Sequence, residues 1–549
     1  MILKHKPAKN LEAFDVIILT AEYYDDHPLS PAGVIARVLE AKGFTVGIIE
    51  RPQKKDDFTK LGSPKLFFAV TSGSIDSMLN NYTPLKKRRA LDPHNRTALM
   101  PDRAVIFYCN QLRQFFKGSK IVIGGIEASL RRFAHYDYWD NKIRGSILLD
   151  SRADILVYGN GEKQIIEIAE RLKSQIAGSG NDLVGIKGTC ILQKTLPAKH
   201  DFAKLPPFFE VKSDDDASTR KFCEMQALFS NNKNLAQEYH NNYVVQYKYP
   251  EYTAEDIDWI YSLPFTRTLH PNSLLNMARF SVVTHRGCIG KCNFCALTLH
   301  QGDKIISRSE ESILKEITSI TSHPDFKGFI DDLGGPSANM YGMDSCKTCQ
   351  TNHRSDCLNS CLQCAQLDKS HSRMIRLLKK AREIPKIKKI FIRSGVRYDL
   401  AMNSKEYIKE ISEHHLSGCL KIAPEHFSKK VLSLMNKNHS QSGGSFEDFK
   451  KYFDSINQKK GQYLNYYFMV GHPGDDLAET RFLANRLAKL KNIEAFQLFT
   501  PTPMTNSTCM YWTGINPCNF EKVDVVHDYL TKKRMKQNLL RVIDQKTSY

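Results

Sequence analysis

Short apolar runs separated by amphipathic stretches set the rhythm of this chain, and the rhythm occurs twice. In the first 200 residues the runs 14–20 (FDVIILT), 44–49 (FTVGII), 65–71 (KLFFAVT), 121–126 (IVIGGI) and 154–158 (DILVY) read as buried strands. Residues 32–41 carry apolar positions at helical spacing, and an amphipathic helix runs from the GNGE turn at 159–162 to about 172. This alternation predicts a doubly wound α/β domain. Ligands in such sheets sit at the carboxyl ends of the strands, so the glycine turns at 124–125 and 159–162 are candidate pocket edges. The alternative, that these glycines only make tight turns, weighs about equally.

Residues 175–262 show no clear period, and the SDDD run at 213–216 reads as a solvated acidic patch. Residues 201–262 are therefore assigned as a connector with some helix. After 280 the alternation returns. Strands are predicted at 280–284, 328–331, 389–393, 418–422, 466–470 and 495–499, with helices at 309–320, 370–381, 404–414, 446–457 and 476–490. Six such units suit a parallel barrel or partial barrel, with an open parallel sheet as the alternative. The predicted domains are 1–200 (α/β), 201–262 (connector), 263–520 (barrel, with a cysteine-rich insertion at 344–368) and 521–549 (a basic helical cap).

Composition narrows the class. Of 549 residues, 41% are hydrophobic and 25% charged, as in soluble globular proteins. No apolar run reaches the length of a membrane span, and the N-terminus lacks the apolar core of a signal peptide, so a cytoplasmic protein with no membrane partner is expected. The net charge of +19 permits an anionic partner such as RNA. The excess is spread along the chain, with local runs only at 86–89 and 532–534, and reads first as a basic solvated surface.

The chemistry lies in the cysteines, which number 14 and cluster. Cys288, Cys292 and Cys295 form a C-x3-C-x2-C triplet directly after the strand at 280–284. A four-iron cluster wants four cysteines, so three leave one metal position open. An open position is what separates catalytic from structural metal sites. The structural alternative is a zinc site that borrows a cysteine from the second group. Phe294, directly before the last cysteine, offers an aromatic face for an adenine. The second group, Cys346, Cys349, Cys357, Cys361 and Cys364, places five thiols in 19 residues, with His353 and His371 nearby. Its 346/349 and 361/364 pairs have zinc-ribbon spacing. It suits an auxiliary iron–sulfur cluster or a structural zinc, forming a metal-ordered lid; free loop thiols are the alternative. The remaining cysteines read as small buried hydrophobes.

C-x3-C-x-aromatic-C after the first strand of a six-unit barrel resembles the radical S-adenosylmethionine (SAM) enzymes, and more closely their YgiQ-type group. The resemblance covers nearly the whole chain. Besides the triplet it rests on DDHP at 25–28, LPFTR at 263–267, DLGGPSANMY at 332–341, RSGVRYD at 393–399, LKIAPEH at 420–426, MVGHPG at 469–474 and FTPTPMT at 499–505. It implies that Cys288, Cys292 and Cys295 ligate three irons of a [4Fe-4S] cluster and that SAM chelates the fourth. It implies that Gly334, Gly335 and Pro336 form the turn whose backbone meets the SAM amino group. Ser394 and Arg397 would meet ribose and carboxylate, and 422–425, ending in Glu425, would border the adenine with Phe294. The implied activity is reductive cleavage of SAM to a 5′-deoxyadenosyl radical that takes hydrogen from an unknown substrate, with electrons from a donor such as flavodoxin or ferredoxin.

The resemblance also implies a cobalamin-binding-like fold for the N-terminal domain. Cobalamin itself is not expected, because Asp25-Asp26-His27 is followed by Ser30 where the D-x-H-x-x-G motif has glycine. A metal-stabilised nucleic-acid-binding protein without radical catalysis is the alternative, and an RNA-modifying radical enzyme a third reading. No general base stands out; His426, His472 and Asp475 are candidates on the active-site face.

Overall fold

The computed structural model describes residues 13–89, 99–176, 183–273, 275–344, 361–364, 366–437 and 444–547. The chain forms two units: Met1–Glu251 with Leu263–Arg279 and Thr502–Met504, and Tyr252–Ser262 with Phe280–Pro501 and Thr505–Tyr549.

In the first unit the predicted strands appear as β1 (Val16–Thr20), β2 (Val46–Glu50), β3 (Phe67–Thr71), β4 (Lys120–Gly124) and, after a small hairpin of β5 (His135–Asp137) and β6 (Lys142–Arg144), β7 (Ile155–Val157). They pair in parallel in the order β2-β1-β3-β4-β7. All five residues of β1 are buried, which explains why its sequence is a continuous apolar run rather than an alternation. The helix Pro31–Ala41 starts where Ser30 Oγ accepts the Gly33 N–H at 3.2 Å and Pro31 occupies the first turn.

The sheet does not stop at β7. It continues through β8 (Thr189–Gln193), β11 (Asn242–Gln246), β10 (Leu235–Tyr239) and β9 (Ala203–Lys204) to nine strands. Most of the stretch assigned as a connector is thus sheet and helix. The acidic run does local work: Asp215 caps the helix Asp216–Leu228 by accepting the Ser218 N–H at 2.9 Å. The strands escape the sequence pattern because they bury polar residues. Gln237 and Gln246 are both fully buried. Gln237 accepts the Ala134 N–H at 2.9 Å and donates to Pro206 O, while Gln246 donates to Ser230 O and Lys233 O. Satisfied in this way, a buried amide costs little.

Residues 263–279, expected to open the barrel, belong to the first unit. They bind the DDHP segment. Asp26 accepts hydrogen bonds from Thr266 N and Oγ1 and forms a two-pronged ion pair with Arg37, and Asp25 accepts from His270 N at 2.7 Å and Ser273 Oγ at 2.6 Å.

The second unit carries the predicted six-strand succession. β12 (Ser281–Val283) pairs in parallel with β16 (Asp332–Gly334), which with β15 (Phe329–Ile330) forms the second strand. β15 pairs with β17 (Lys389–Ile390), the third. Hydrogen bonds from Ile392 N to His415 O and Val396 N to Lys421 O join it to β18 (Cys419–Glu425), which pairs with β19 (Tyr463–Val470), and that with β20 (Ile493–Leu498). Helices Glu310–Ile320, Ser372–Arg382, Lys405–His414, Phe446–Asn457 and Leu477–Leu487 alternate with the strands, giving a partial (β/α)6 barrel. The basic C-terminus forms the helix Tyr529–Thr547. Among the described residues no helix is long and apolar enough to cross a membrane.

Burial alone would raise the Asp26 carboxyl, but the hydrogen bonds from Arg37 and Thr266 outweigh it and hold it below the usual range. Arg37→Ala strands that carboxylate and should cost the first unit about 3 kcal/mol at pH 7, read as a lower urea midpoint. A depressed folded pKa stabilises above the unfolded pKa and loses that contribution as pH falls, so the deficit should shrink in acid.

Candidate active site

The cysteine loop leaves the barrel after β12. Its neck is a short antiparallel pair, β13 (His285–Arg286) with β14 (Ile306–Ser307), closed where Cys288 N–H donates to Gly302 O at 3.2 Å. Gly287 holds a left-handed φ of +83°, and a Cβ there would overlap the Lys304 carbonyl oxygen. No other residue fits this neck without moving the chain.

Asn293, between the second and third cysteines, fixes the loop from both sides. Its N–H donates to Met435 O and its side-chain amide to Leu434 O, each at 2.9 Å. Its carbonyl accepts from Ser507 N at 2.9 Å, and its side-chain oxygen from Asn506 Nδ2 at 3.1 Å. Asn436 adds a bond to Lys291 O. The three thiols therefore stand on a backbone tied to the segments that follow β18 and β20.

The thiols are half-buried, and burial disfavours the charged forms of Cys288 and Cys295. It raises Cys288, with Cys292 adding to the effect, and pushes Cys295 up to about 12. Three half-buried thiols on one short loop suit a cationic metal centre that compensates their charge. Among the described residues no three His, Cys, Asp or Glu side chains converge on a single-ion site. A cubane asks for something different, since each thiolate reaches its own iron.

The residues expected around the loop gather at the carboxyl ends of the parallel strands. Gly334 ends β16, and a Cβ on it would stand 3.3 Å from Ser394 Oγ. Gly335 lies flat against the His285 ring, 2.5 Å from where its Cβ would be, and Pro336 continues the turn. Ser394 is bound to the Asp332 carboxylate through both its N–H and its hydroxyl. Arg397 pairs bidentately with Asp399, at 3.1 and 2.7 Å, and its third nitrogen, Nη1, sits 3.8 Å from Cys292 Sγ. Glu425 closes β18 with a left-handed φ of +67° and accepts from Lys437 Nζ at 3.0 Å. Such backbone strain concentrates at functional sites. Phe294 packs edge-on against His472, with the Lys437 ammonium 6.0 Å from its ring centre.

Of the candidate acid–base groups, His472 and Asp475 are occupied in the frame, while the buried His426 accepts the Ser428 N–H through Nδ1 and leaves Nε2 without a hydrogen-bond partner among the described residues. His472 Nδ1 bonds Pro473 O and Nε2 bonds Ser507 Oγ, and burial depresses its pKa to about 3, so it is neutral. Asp475 accepts from Gly471 N and Thr480 Oγ1 and lies 3.7 Å from His426. Of the second cysteine group, Cys346, Cys349 and Cys357 lie outside the described residues. Cys361 and Cys364 pack with Cys288 against one apolar cluster that includes Ile289, Ile305, Met340 and Leu400. Three contributors were not among the candidates the sequence offers: Asp399 lies inside RSGVRYD and Asn293 inside the cysteine triplet without a role of their own there, and Lys437 stands in no motif.

A family model described as radical SAM N-terminal matches residues 2–282, and one described as a domain of unknown function (DUF3362) matches 494–547. UPF0313 proteins of Clostridium botulinum are 45% identical over 97% of this chain and 85% of their own length. One from Fusobacterium nucleatum is 42% identical over 96% of both chains. The chain belongs to the UPF0313 family. This UPF0313 chain is also similar in fold to the radical SAM methyltransferase TsrM from Kitasatospora setae, solved with cobalamin and a [4Fe-4S] cluster. The TM-score is 0.52 at 14% identity, over 96% of this chain and 91% of that one. OxsB, a cobalamin-dependent SAM radical enzyme solved with aqua-cobalamin, aligns with a TM-score of 0.50 at 10% identity, over 88% and 54%. The UPF0313 chain is a radical SAM enzyme, with the α/β domain and partial barrel that its sequence predicts.

The neck of the cysteine loop should be the least tolerant point of this site. Gly287→Ala is expected to cut iron retained after anaerobic reconstitution several-fold while the α-helical circular dichroism stays near wild type.

Proposed function

We propose that Cys288, Cys292 and Cys295 hold a [4Fe-4S] cluster whose fourth iron takes SAM, and that the enzyme abstracts a hydrogen atom from a substrate still to be identified. The observation that carries this reading is three half-buried thiols on one braced loop at the carboxyl ends of parallel strands, with two carboxylate-tethered cations beside them. The donor set fits: three soft sulfur ligands suit iron–sulfur chemistry and leave one iron for a cofactor. When bound and reduced, the cluster supplies the electron that breaks the sulfonium carbon–sulfur bond of SAM, yielding methionine and a 5′-deoxyadenosyl radical. A flavodoxin- or ferredoxin-class donor supplies that electron.

The chain's own residues position and enclose. Gly334 and Gly335 let the backbone after β16 come close to the cofactor amino group, Pro336 stiffening the turn. Ser394, anchored on Asp332, borders the ribose, and Phe294 and Glu425 border the adenine. Hydrogen-atom transfer needs no fixed acid–base pair, which agrees with His472 and Asp475 being spent on structural bonds. RNA as a substrate draws support only from the net charge.

In the first unit the reading is a cobalamin-binding-like fold without histidine-ligated cobalamin. His27, where a lower ligand would stand, is buried, accepts the Leu29 N–H through Nδ1 and lies 3.9 Å from Asp25. For the second cysteine group the reading is a metal-ordered lid, supported by the packing of Cys361 and Cys364 against the cluster that also holds Cys288.

Cys292→Ala should abolish both the cluster and the release of 5′-deoxyadenosine from SAM under reducing conditions; full product release in that variant would overturn the assignment. Elemental analysis of a Cys288/Cys292/Cys295 triple Ala variant should still find about one equivalent of zinc or an auxiliary iron–sulfur complement, and metal-free protein would remove the lid.

A further inference from the structure

Two cations flank the cysteine loop, and each is tethered by a carboxylate of its own. Lys437, 8% exposed, bonds Glu425 at 3.0 Å and Ala423 O at 2.6 Å, and bears on Cys288 and Cys295. Arg397 is held far more firmly. The side-chain amide of Asn339 clamps its backbone, accepting its N–H and donating to its carbonyl, each at 2.9 Å. Asp399, 1% exposed, takes Nε and Nη2, which leaves Nη1 to face Cys292 Sγ. The approach depends on Gly290, since a Cβ there would come within 2.7 Å of Nη1. Burial works against the guanidinium charge, but Asp399 and then Cys292 outweigh it, so the group stays cationic.

The resemblance assigns Arg397 to the cofactor carboxylate; the geometry assigns it elsewhere. We infer that Arg397 hydrogen-bonds the Cys292 sulfur of the bound cluster and sets its reduction potential, with Asp399 trimming the effect. The inference rests on the cluster reading above. Reducing the cluster adds one negative charge, and a fixed cation with an N–H on a ligand sulfur favours the reduced state. At a distance of about 4 Å in a partly desolvated site that influence is large. Arg397 is a positioning residue here, acting through Cys292 on the iron centre. Its partner gives the test a sign, because removing the arginine and removing the aspartate should move the potential in opposite directions.

The experiment is an electron-paramagnetic-resonance redox titration of the full, anaerobically reconstituted chain without SAM, after iron and sulfide have been counted. Arg397→Gln should lower the midpoint, shifting the reduction equilibrium at least tenfold, about 59 mV for one electron. Arg397→Lys should keep most of the wild-type value, and Asp399→Asn should raise it. A fully loaded Arg397→Gln protein with an unchanged midpoint overturns the inference, and weakened SAM binding in that protein would return Arg397 to the carboxylate. If Arg397→Gln fails to load, Asp399→Asn decides, an unchanged midpoint again overturning it. A wild-type chain that takes up no iron and sulfide would instead defeat the cluster reading, and this inference with it.

Discussion

The site depends on holding three half-buried thiols on one loop without letting that loop relax. Desolvated thiols resist ionisation, and a flexible loop would let them turn to solvent or pair with one another. The chain prevents this with backbone rather than with bulk. Gly287 makes the neck, Gly290 admits a guanidinium, and Asn293 ties the middle of the loop to two other segments. The network is nearly all main-chain and amide hydrogen bonds, which fix position without adding charge. Charge comes separately, from Arg397 and Lys437, each held in check by a carboxylate.

The barrel explains why these pieces can meet. A parallel sheet with helical crossovers brings the carboxyl end of every strand to the same face. Residues from 287 to 507 therefore converge although they are far apart in the chain, and the polar groups around the loop come from after four of the six strands. The left-handed Glu425 belongs to this logic: the strand ends in a conformation that a carboxylate rarely adopts, and the ion pair to Lys437 holds it there.

Much of this was legible in the residues. Continuous apolar runs marked the parallel strands because strands covered on both faces have no polar side to show, as with β1. The triplet spacing marked the cysteine loop. Two things were hidden for physical reasons. The strands Leu235–Tyr239 and Asn242–Gln246 read as connector because Gln237 and Gln246 are buried, and a satisfied buried amide looks like a surface residue in a hydropathy pattern. The meeting of Arg397 with Cys292 spans 105 positions and depends on a missing side chain, that of Gly290, so no local pattern announces it. The acidic run before 217 is exposed, as its composition suggests, and Asp215 within it also caps a helix.

The central claim is that three cysteines leave one iron free for the cofactor. Mössbauer spectroscopy of the protein reconstituted with iron-57, with and without SAM, tests it most directly. The account predicts that one of four irons changes its isomer shift on SAM addition while the other three hold theirs. Four irons that ignore SAM, or a centre without the four-iron spectrum, would contradict it.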